Sequence, residues 1–144
     1  MQLSLKTDFG LRMLMALAST DEILSVDWIA EHHGLSRHHL AKVAQELNAA
    51  GYVETVRGRG GGLRLGRAPA EINIGQVVRH LENFDGFVAC MGGSNDCVLQ
   101  RLCGLKPVLG GALQAFLAHL DGFTLANLDF DREAVLTRLR AKAA

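Results

Sequence analysis

A chain of 144 residues is long enough for one compact domain, or for a small domain with an extension. With 49% apolar and 21% charged residues it is too apolar for intrinsic disorder, and no apolar run approaches the ~18 residues of a membrane span. The N-terminus shows no signal-peptide pattern, so we expect a cytoplasmic protein that has no membrane partner. The formal net charge is zero, yet residues 36–67 hold six Lys or Arg and only two Glu, which is a local basic excess.

Helical patterns dominate the N-terminal part of the chain. Apolar residues at helical spacing predict a first helix over Thr7–Ser19, with Thr7 or Asp8 as its N-cap. A short second helix is predicted over Val26–His33, where Gly34 ends it, and a third helix capped by Ser36 runs to about Ala50. Two helices joined by a short turn that contains glycine are typical of a helix-turn-helix, here over about residues 26–50.

A β-hairpin is predicted directly after the third helix. Tyr52–Val56 and Leu63–Leu65 alternate as strands, and the Arg57–Gly62 turn between them places glycines beside two arginines. Glycines let the backbone approach a partner closely, while guanidinium groups reach phosphate or a minor groove. A flexible hairpin with solvated arginines is the alternative, but it does not explain why both features follow a helix-turn-helix. The pattern therefore favours DNA binding by a helix-turn-helix with a wing over about residues 52–65.

The residues predicted to contact DNA lie in two places. The first residues of the third helix are expected to meet base edges, since a recognition helix enters the major groove by its N-terminal end. Basic residues further along the helix and in the wing are expected to meet phosphate or the minor groove. The candidate DNA-contacting residues are Ser36, Arg37, His38, His39, Lys42, Arg57, Arg59, Gly60 and Gly61.

Two further helices are predicted beyond the wing. The first covers Ile74–Glu82, and the second is a long helix from about Leu105 to His119 that carries an apolar stripe. So much apolar surface outside a domain with its own core favours a symmetric interface between two chains, and a homodimer suits palindromic DNA. The alternative is that the stripe packs back on its own domain. The stripe consists of Leu105, Leu109, Ala112, Leu113, Phe116, Leu117 and Leu120.

Three cysteines, and no fourth, lie in a glycine-rich segment, at Cys90, Cys97 and Cys103. An odd number does not suit a disulfide framework, and clustered thiols inside a cell usually bind a soft metal ion or an iron-sulfur cluster. The spacing lacks the short Cys-x2-Cys pairs of most structural zinc sites, which disfavours zinc. A fourth ligand would come from another residue type, from solvent or from a second chain. The alternative is three unrelated buried cysteines, but the turn-forming residues between Cys90 and Cys97 argue against it.

Several segments of the chain resemble one protein family. The wing segment Gly51–Gly66, the helix Ile74–Glu82 and the three-cysteine loop that follows resemble the winged-helix iron-sulfur repressors. Within that family the chain is most similar to the nitric-oxide-sensing NsrR branch. Thr7–Arg12 and residues 116–117 and 120–128 are also similar to that branch, so the resemblance covers nearly the whole chain.

The resemblance implies a fold and a cofactor. The fold would be mainly α with a small β-hairpin wing: a winged helix-turn-helix domain at residues 1–82, a cluster-binding loop at 83–104, and a dimerisation helix with a C-terminal tail at 105–144. Cys90, Cys97 and Cys103 would bind an iron-sulfur cluster, with 4Fe-4S favoured over 2Fe-2S, and Asp8 of the partner subunit would be the fourth ligand. Without the resemblance, Asp8 is read as a carboxylate that favours its helix N-terminus.

The resemblance also implies a function. The protein would be a homodimeric transcriptional repressor that holds a palindromic operator and releases it when nitric oxide nitrosylates or removes the cluster. The alternatives are an iron- or redox-responsive regulator of the same family and, less favoured, a cluster-carrying electron-transfer module. The branch that regulates iron-sulfur biogenesis is disfavoured, because it uses a histidine where this chain has Lys106, and an ammonium group cannot coordinate. No Ser-His-Asp or carboxylate-pair motif stands out, so an enzyme is not expected.

Overall fold

The computed structural model describes residues 2–85, 87–88, 91, 99, 102–128 and 130–142. In this part of the chain the elements are, in order, α1 (Leu5–Ala18), α2 (Val26–His33), α3 (Arg37–Ala49), β1 (Val53–Val56), β2 (Gly62–Leu65), α4 (Ile74–Leu81), α5 (Leu105–Asp121) and α6 (Arg132–Lys142). The mainly α fold with a small β-hairpin wing is therefore confirmed. Helices α2 and α3 with the hairpin β1–β2 form a winged helix-turn-helix.

The hydrophobic core lies between the first four helices, and α1 contacts α2, α3, α4 and β2. Its most deeply buried side chains come from every one of these helices and from the segment before α4. Burial of this many large apolar side chains is the main contribution to the stability of the fold. Side chains with no exposed surface include Met13, Leu14, Ile29, Leu40, Leu47, Ile72, Val77 and Val78.

The turn of the helix-turn-helix follows from its local sequence. The Ser25 side chain begins α2 by accepting a hydrogen bond from the backbone N–H of Trp28 at 3.0 Å. Gly34 ends α2 in the left-handed region, with a φ of 68°, as a glycine after a helix commonly does. The predicted bounds of α2 are confirmed. Ser36 precedes α3 as expected, but its side chain makes no capping hydrogen bond within the described chain.

Helix α1 begins earlier than the sequence predicts. Ser4 is the N-cap, because its hydroxyl oxygen accepts a hydrogen bond from the backbone N–H of Thr7 at 3.3 Å. Thr7 is fully buried, and its own hydroxyl donates to Glu82 at 2.7 Å. The prediction of Thr7 or Asp8 as the cap is therefore wrong. The reason is a tertiary partner for Thr7 that helical periodicity does not reveal.

The wing is a two-stranded antiparallel hairpin in which Val56 pairs with Gly62 next to the turn. Leu24, in the connection between α1 and α2, exchanges two backbone hydrogen bonds with Leu63, at 3.0 and 2.8 Å. Position 62 requires glycine, since a Cβ there would lie 2.6 Å from the carbonyl oxygen of Leu24. Strand β2 is therefore hydrogen-bonded to β1 on one edge and, at Leu63, to the connection before α2 on the other, which attaches the wing to the body of the domain.

Helix α5 has a buried half and an exposed half. Leu113 and Leu117 are buried in the core of their own subunit, where α5 packs on α4. Nearer the start of the helix, Leu105 and Val108 are 59% and 64% exposed. The alternative that the stripe packs back on its own domain is thus correct for the second half of α5. The exposed first half remains available to a partner.

Helix α6 is an element that the sequence analysis does not predict. It packs against α1 and α2, and its two ends face the acidic connection between them. Arg132 lies 3.8 Å from Asp21, and Arg140 lies 3.4 Å from Glu22. All four side chains are more than half exposed, so these ion pairs add little stability. None of the helices in the described ranges is both long and apolar enough to cross a membrane.

Candidate nucleic-acid interface and metal ligands

Helix α3 separates its buried and exposed residues onto opposite faces. At about 100° per residue, the positions opposite the buried face are 38, 42 and 45. His38, Lys42 and Gln45 are exposed there, so this face is free to meet a partner. Gln45 is absent from the sequence-predicted contacts, although its helical spacing from His38 and Lys42 could have identified it, and glutamine is suited to reading adenine. The buried face consists of Leu40, Val43, Ala44 and Leu47.

Three of the six basic residues in the segment 36–67 are engaged within the protein. Arg37 pairs with Asp27 of α2, where its Nε contacts Oδ1 and its Nη2 lies 3.4 Å from Oδ2. Arg64 Nη2 lies 2.9 Å from a carboxylate oxygen of Glu54, which is opposite it in the hairpin. Arg67 donates to two backbone carbonyls. The local basic excess that the sequence suggests is therefore partly neutralised in the fold.

All six side chains are exposed, but the other three differ from the first three in their partners. Lys42, Arg57 and Arg59 form no ion pair or hydrogen bond with any residue that the structure describes. At the wing tip Gly58 and Gly60 have φ values of 107° and 81°, which side chains other than glycine rarely adopt. The tip is thus a tight turn that needs its glycines, and it leaves both of its guanidinium groups available to a ligand.

The remaining predicted contacts divide into exposed side chains and one structural glycine. Ser36, His38 and His39 are exposed at the start of α3, where a recognition helix meets base edges. Gly61 is half-buried, and a Cβ at this position would lie 2.3 Å from the carbonyl oxygen of Val56. Gly61 is therefore needed to shape the turn itself.

Of the four predicted metal ligands, Cys103 and Asp8 lie within the described residues, whereas Cys90 and Cys97 lie outside them. Cys103 is a free, half-buried thiol just before α5. Asp8 lies in the first turn of α1, and Nε and Nη2 of Arg12 approach its two carboxylate oxygens at 3.0 Å each. The described ranges contain no group of three or more His, Cys, Asp or Glu side chains that could hold a metal ion. The ligand set stays a prediction.

The end of α4, after which the cysteine segment starts, is attached to the start of α1. Glu82 Oε2 accepts hydrogen bonds from the backbone N–H of Ser4 at 2.8 Å and from the hydroxyl of Thr7 at 2.7 Å. Partial burial raises the pKa of Glu82, but the hydrogen bonds, chiefly those from Ser4 and Thr7, outweigh it and hold that pKa below its ordinary value. The carboxylate therefore joins the turn that carries Asp8 to the segment that leads to the cysteines.

Replacing Glu82 with glutamine is expected to destabilise the fold by about 1–2 kcal/mol, because hydrogen bonds to a carboxylate are stronger than those to an amide. Since the folded-state pKa is lowered, the parent's stabilisation is present above the unfolded-state pKa and is lost as pH falls through the folded-state pKa. Urea unfolding of the cluster-free protein from neutral to acid pH should show this loss in the parent and not in Glu82→Gln. Glu133→Gln, at an exposed position of α6, serves as the comparison. The same acid dependence in parent and Glu82→Gln would contradict this role.

A helix-turn-helix whose third helix presents an exposed polar face, followed by a glycine-shaped basic wing, defines a winged-helix DNA-binding regulator. The chain belongs to the Rrf2 family, whose model, described as an iron-dependent transcriptional regulator, matches residues 3–129. It is 46% identical to the HTH-type transcriptional regulator NsrR of Bacillus subtilis (strain 168), over 99% of each chain. It is 45% identical to the NsrR of Bacillus licheniformis, over 94% of this chain and 96% of that one.

The fold is also similar to solved structures of transcriptional regulators. T. potens IscR has a TM-score of 0.68 and 28% identity, covering 89% of this chain and 85% of that one. The oxidised form of Staphylococcus aureus CymR has a TM-score of 0.71 and 28% identity, covering 91% of this chain and 98% of that one. The family membership confirms the resemblance drawn from the sequence, and the protein is a transcriptional regulator and not an enzyme.

Proposed function

We propose that the protein is a cytoplasmic, homodimeric repressor that carries an iron-sulfur cluster and releases palindromic operator DNA in response to nitric oxide. One observation above all supports the reading of DNA: α3 keeps its apolar residues in the core and exposes His38, Lys42 and Gln45 on the opposite face. The nitric-oxide signal rests on the resemblance to the NsrR branch, which the similarity to the two Bacillus relatives supports.

The homodimer is supported by an exposed face of α5. Leu105, Val108, Ala112 and Ala115 follow helical spacing on one face of the helix, and all four are exposed. At Gly111, beside this face, a Cβ would meet no atom within 4 Å, so a second backbone can approach closely. A symmetric contact between two α5 helices would bury both faces and place two reading helices on one palindrome.

The residues proposed as ligands suit an iron-sulfur cluster by their donor chemistry. Thiolates are the usual ligands of such clusters, and Cys103 is a free thiol that is neither fully buried nor cross-linked. Cys90 and Cys97 would supply the other two thiolates, and Asp8 of the partner subunit would supply an oxygen. We favour a 4Fe-4S cluster over 2Fe-2S on the family resemblance. When bound, the cluster would supply iron atoms that nitric oxide can ligate strongly, and the oxygen of Asp8 would be the weakest of the four ligands.

Asp8 has two alternative partners under this proposal. As a ligand it joins the reading domain of one subunit to the cysteines of the other. Once released, it pairs with Arg12, as it does in this structure at 3.0 Å. That ion pair is exposed, so it holds Asp8 weakly and does not prevent ligation. The helix that carries Asp8 also packs on the reading helix, since α1 contacts α3 in the core. A change at Asp8 can therefore reach the DNA-reading surface.

Alanine at Arg37 and alanine at Lys42 are expected to weaken DNA binding in different ways. Arg37 must leave Asp27 to meet a base edge, and its loss should relax sequence preference at a cost of about 1–3 kcal/mol. Lys42 faces phosphate, so its loss should weaken all sequences about equally and lower the salt dependence. Fluorescence anisotropy with operator and scrambled duplexes measures both effects. Arg64→Ala is the comparison, because Arg64 is already paired with Glu54. Unchanged operator affinity in both variants would mean that α3 is not the reading helix.

An iron- or redox-responsive regulator of the same family is the second candidate. The family model is described as iron-dependent, and one structural relative was solved in an oxidised form. Three anaerobic titrations of the operator complex separate the candidates: one with nitric oxide, one with an iron chelator and one with an oxidant. Release at stoichiometric nitric oxide, with the complex intact under the other two, supports the nitric-oxide sensor. An electron carrier would show no salt-dependent operator binding at all.

A further inference from the structure

Arg67 lies just beyond the wing and directs its guanidinium group at the end of the reading helix. Its Nη2 donates to the carbonyl of Ala50 at 2.5 Å, and its Nε donates to the carbonyl of Gly51 at 3.0 Å. Carbonyl groups at a helix C-terminus lack helical partners and carry the negative end of the helix dipole. The guanidinium also lies over the ring of Tyr52, with its Cζ 4.8 Å from the ring centroid.

The surroundings of Arg67 hold it in this position. Gly51 has a φ of 75°, and a Cβ there would lie 3.1 Å from Nη2 of Arg67. Tyr52 is buried, and its ring meets the ring of His80 on α4 edge-on, with centroids 6.1 Å apart. Gly66, next to Arg67, donates its N–H to the carbonyl of Tyr52 at 3.0 Å. The guanidinium therefore contacts both the end of α3 and the residue that precedes β1.

We propose that Arg67 is a positioning residue that sets the orientation of the wing relative to the reading helix, and that it is not a DNA contact. Its guanidinium donates to two carbonyls and its Cζ lies over the ring of Tyr52, whereas Arg57 and Arg59 have no such partners in the described ranges. Lysine would keep the charge of Arg67 but could not donate to both carbonyls and stack on the ring at once.

Among the described residues, one other side chain hydrogen-bonds the wing to α3. The side-chain oxygen of Asn48 accepts hydrogen bonds from the backbone N–H and the hydroxyl of Thr55, at 3.0 and 3.1 Å. This contact holds β1, whereas Arg67 holds the end of β2. With Arg67 released, the hairpin keeps its strand pairing, the Asn48 contact and the backbone bridge from Leu24 to Leu63, but the end of β2 loses its contact with the end of α3 and the wing can tilt about these remaining attachments. The two arginines at the wing tip would then no longer be held at a fixed distance from the reading helix.

The test is a double-mutant cycle on the full-length dimer with a palindromic duplex that the parent selects from a random-sequence pool. Arg67→Lys is expected to weaken binding about tenfold although the net charge is unchanged. Arg59→Ala should cost about tenfold in the parent but less than about twofold in the Arg67→Lys background, because the wing is no longer placed. Lys42→Ala should lower the affinity for the duplex by the same factor in the parent and in the Arg67→Lys background. Arg67→Met, which keeps the stem over Tyr52, is the second variant and should behave like Arg67→Lys.

Three results would overturn the proposal. If Arg67→Lys binds like the parent, the contacts of the guanidinium with the two carbonyls and the ring are not what orients the wing. If Arg59→Ala lowers the affinity equally in the parent and in the Arg67→Lys background, the orientation of the wing does not depend on Arg67. If the cost of Lys42→Ala also falls, the defect lies in the whole reading domain and not in the wing. Far-ultraviolet circular dichroism and thermal unfolding of each variant should show a retained fold, and Arg64→Lys should bind like the parent because its pair with Glu54 survives.

Discussion

Alanine in place of Cys103 is expected to give a folded dimer that has lost its iron, its sulfide and its visible charge-transfer absorption. The same result is expected for Cys90 and for Cys97, because three thiolates form most of the proposed four-ligand set and a cluster missing one of them is not retained. Operator binding and its response to nitric oxide should be lost together. Anaerobic absorption spectra with iron and sulfide counts measure the first effect, and anisotropy with labelled duplex measures the second.

The fold of the cysteine variants should survive, because Cys103 is half-buried and free, so its replacement removes no cross-link. Circular dichroism and sedimentation of the cluster-free variants check this. Ser94→Ala, a change of similar size in the same segment, should keep the full cluster. A variant that lacks one cysteine and still carries full iron and sulfide would remove that cysteine from the ligand set.

Alanine in place of Asp8 is expected to leave the cluster in place but to weaken the binding of operator DNA. Three thiolates should still hold the cluster, with solvent as the fourth ligand, but the link between reading domain and cluster is lost. Operator affinity should fall about tenfold or more, since about 1.4 kcal/mol of coupling changes affinity tenfold. Arg12→Ala is the control, because it breaks the same ion pair and leaves the carboxylate of Asp8. Its operator affinity should therefore stay close to that of the parent. If Asp8→Ala binds, responds and absorbs like the parent, Asp8 is only a favourable charge in the first turn of α1.

Mixed dimers show which subunit supplies the carboxylate. A dimer of one Asp8→Ala chain and one Cys103→Ala chain keeps one complete ligand set only if Asp8 acts across the interface. We expect such a dimer, purified with two different affinity tags, to hold one cluster whose absorption spectrum matches that of the parent. The alternative is that Asp8 and the cysteines of the same subunit form the site. The structure is compatible with it, because Glu82 joins the start of α1 to the end of α4 within one chain. No parent-like cluster in the mixed dimer would place Asp8 with the cysteines of its own subunit.

The winged helix could be predicted from the sequence because its signals are local. Ser25 and Gly34 delimit α2 by capping it and by adopting the left-handed conformation, and neither depends on distant residues. Gly51, Gly58 and Gly60 also have positive φ, so glycine marks the end of α3 and the wing tip in the sequence itself. The class of regulator follows from the same local features taken in order.

The features that the sequence could not show depend on tertiary contacts. The hydroxyl of Thr7 donates a hydrogen bond to Glu82, far along the chain, and Ser4 is the N-cap of α1 instead. The number of basic residues could be predicted but not their roles, since nothing local distinguishes Arg67, which donates to two carbonyls at a helix end, from Arg59, which has no such partner in the described ranges. The three cysteines were found by composition, but their mutual arrangement depends on how the segment and a second subunit come together.

The most direct test of cluster-gated repression is a single anaerobic titration with nitric oxide. The absorption of the cluster and the anisotropy of a labelled palindromic duplex are followed in the same sample as nitric oxide is added. We expect the duplex to be released in step with the loss of cluster absorption, and the cluster-free Cys103→Ala protein to show neither signal. A duplex that stays bound after the cluster absorption has changed completely would contradict a repressor whose cluster controls its hold on DNA.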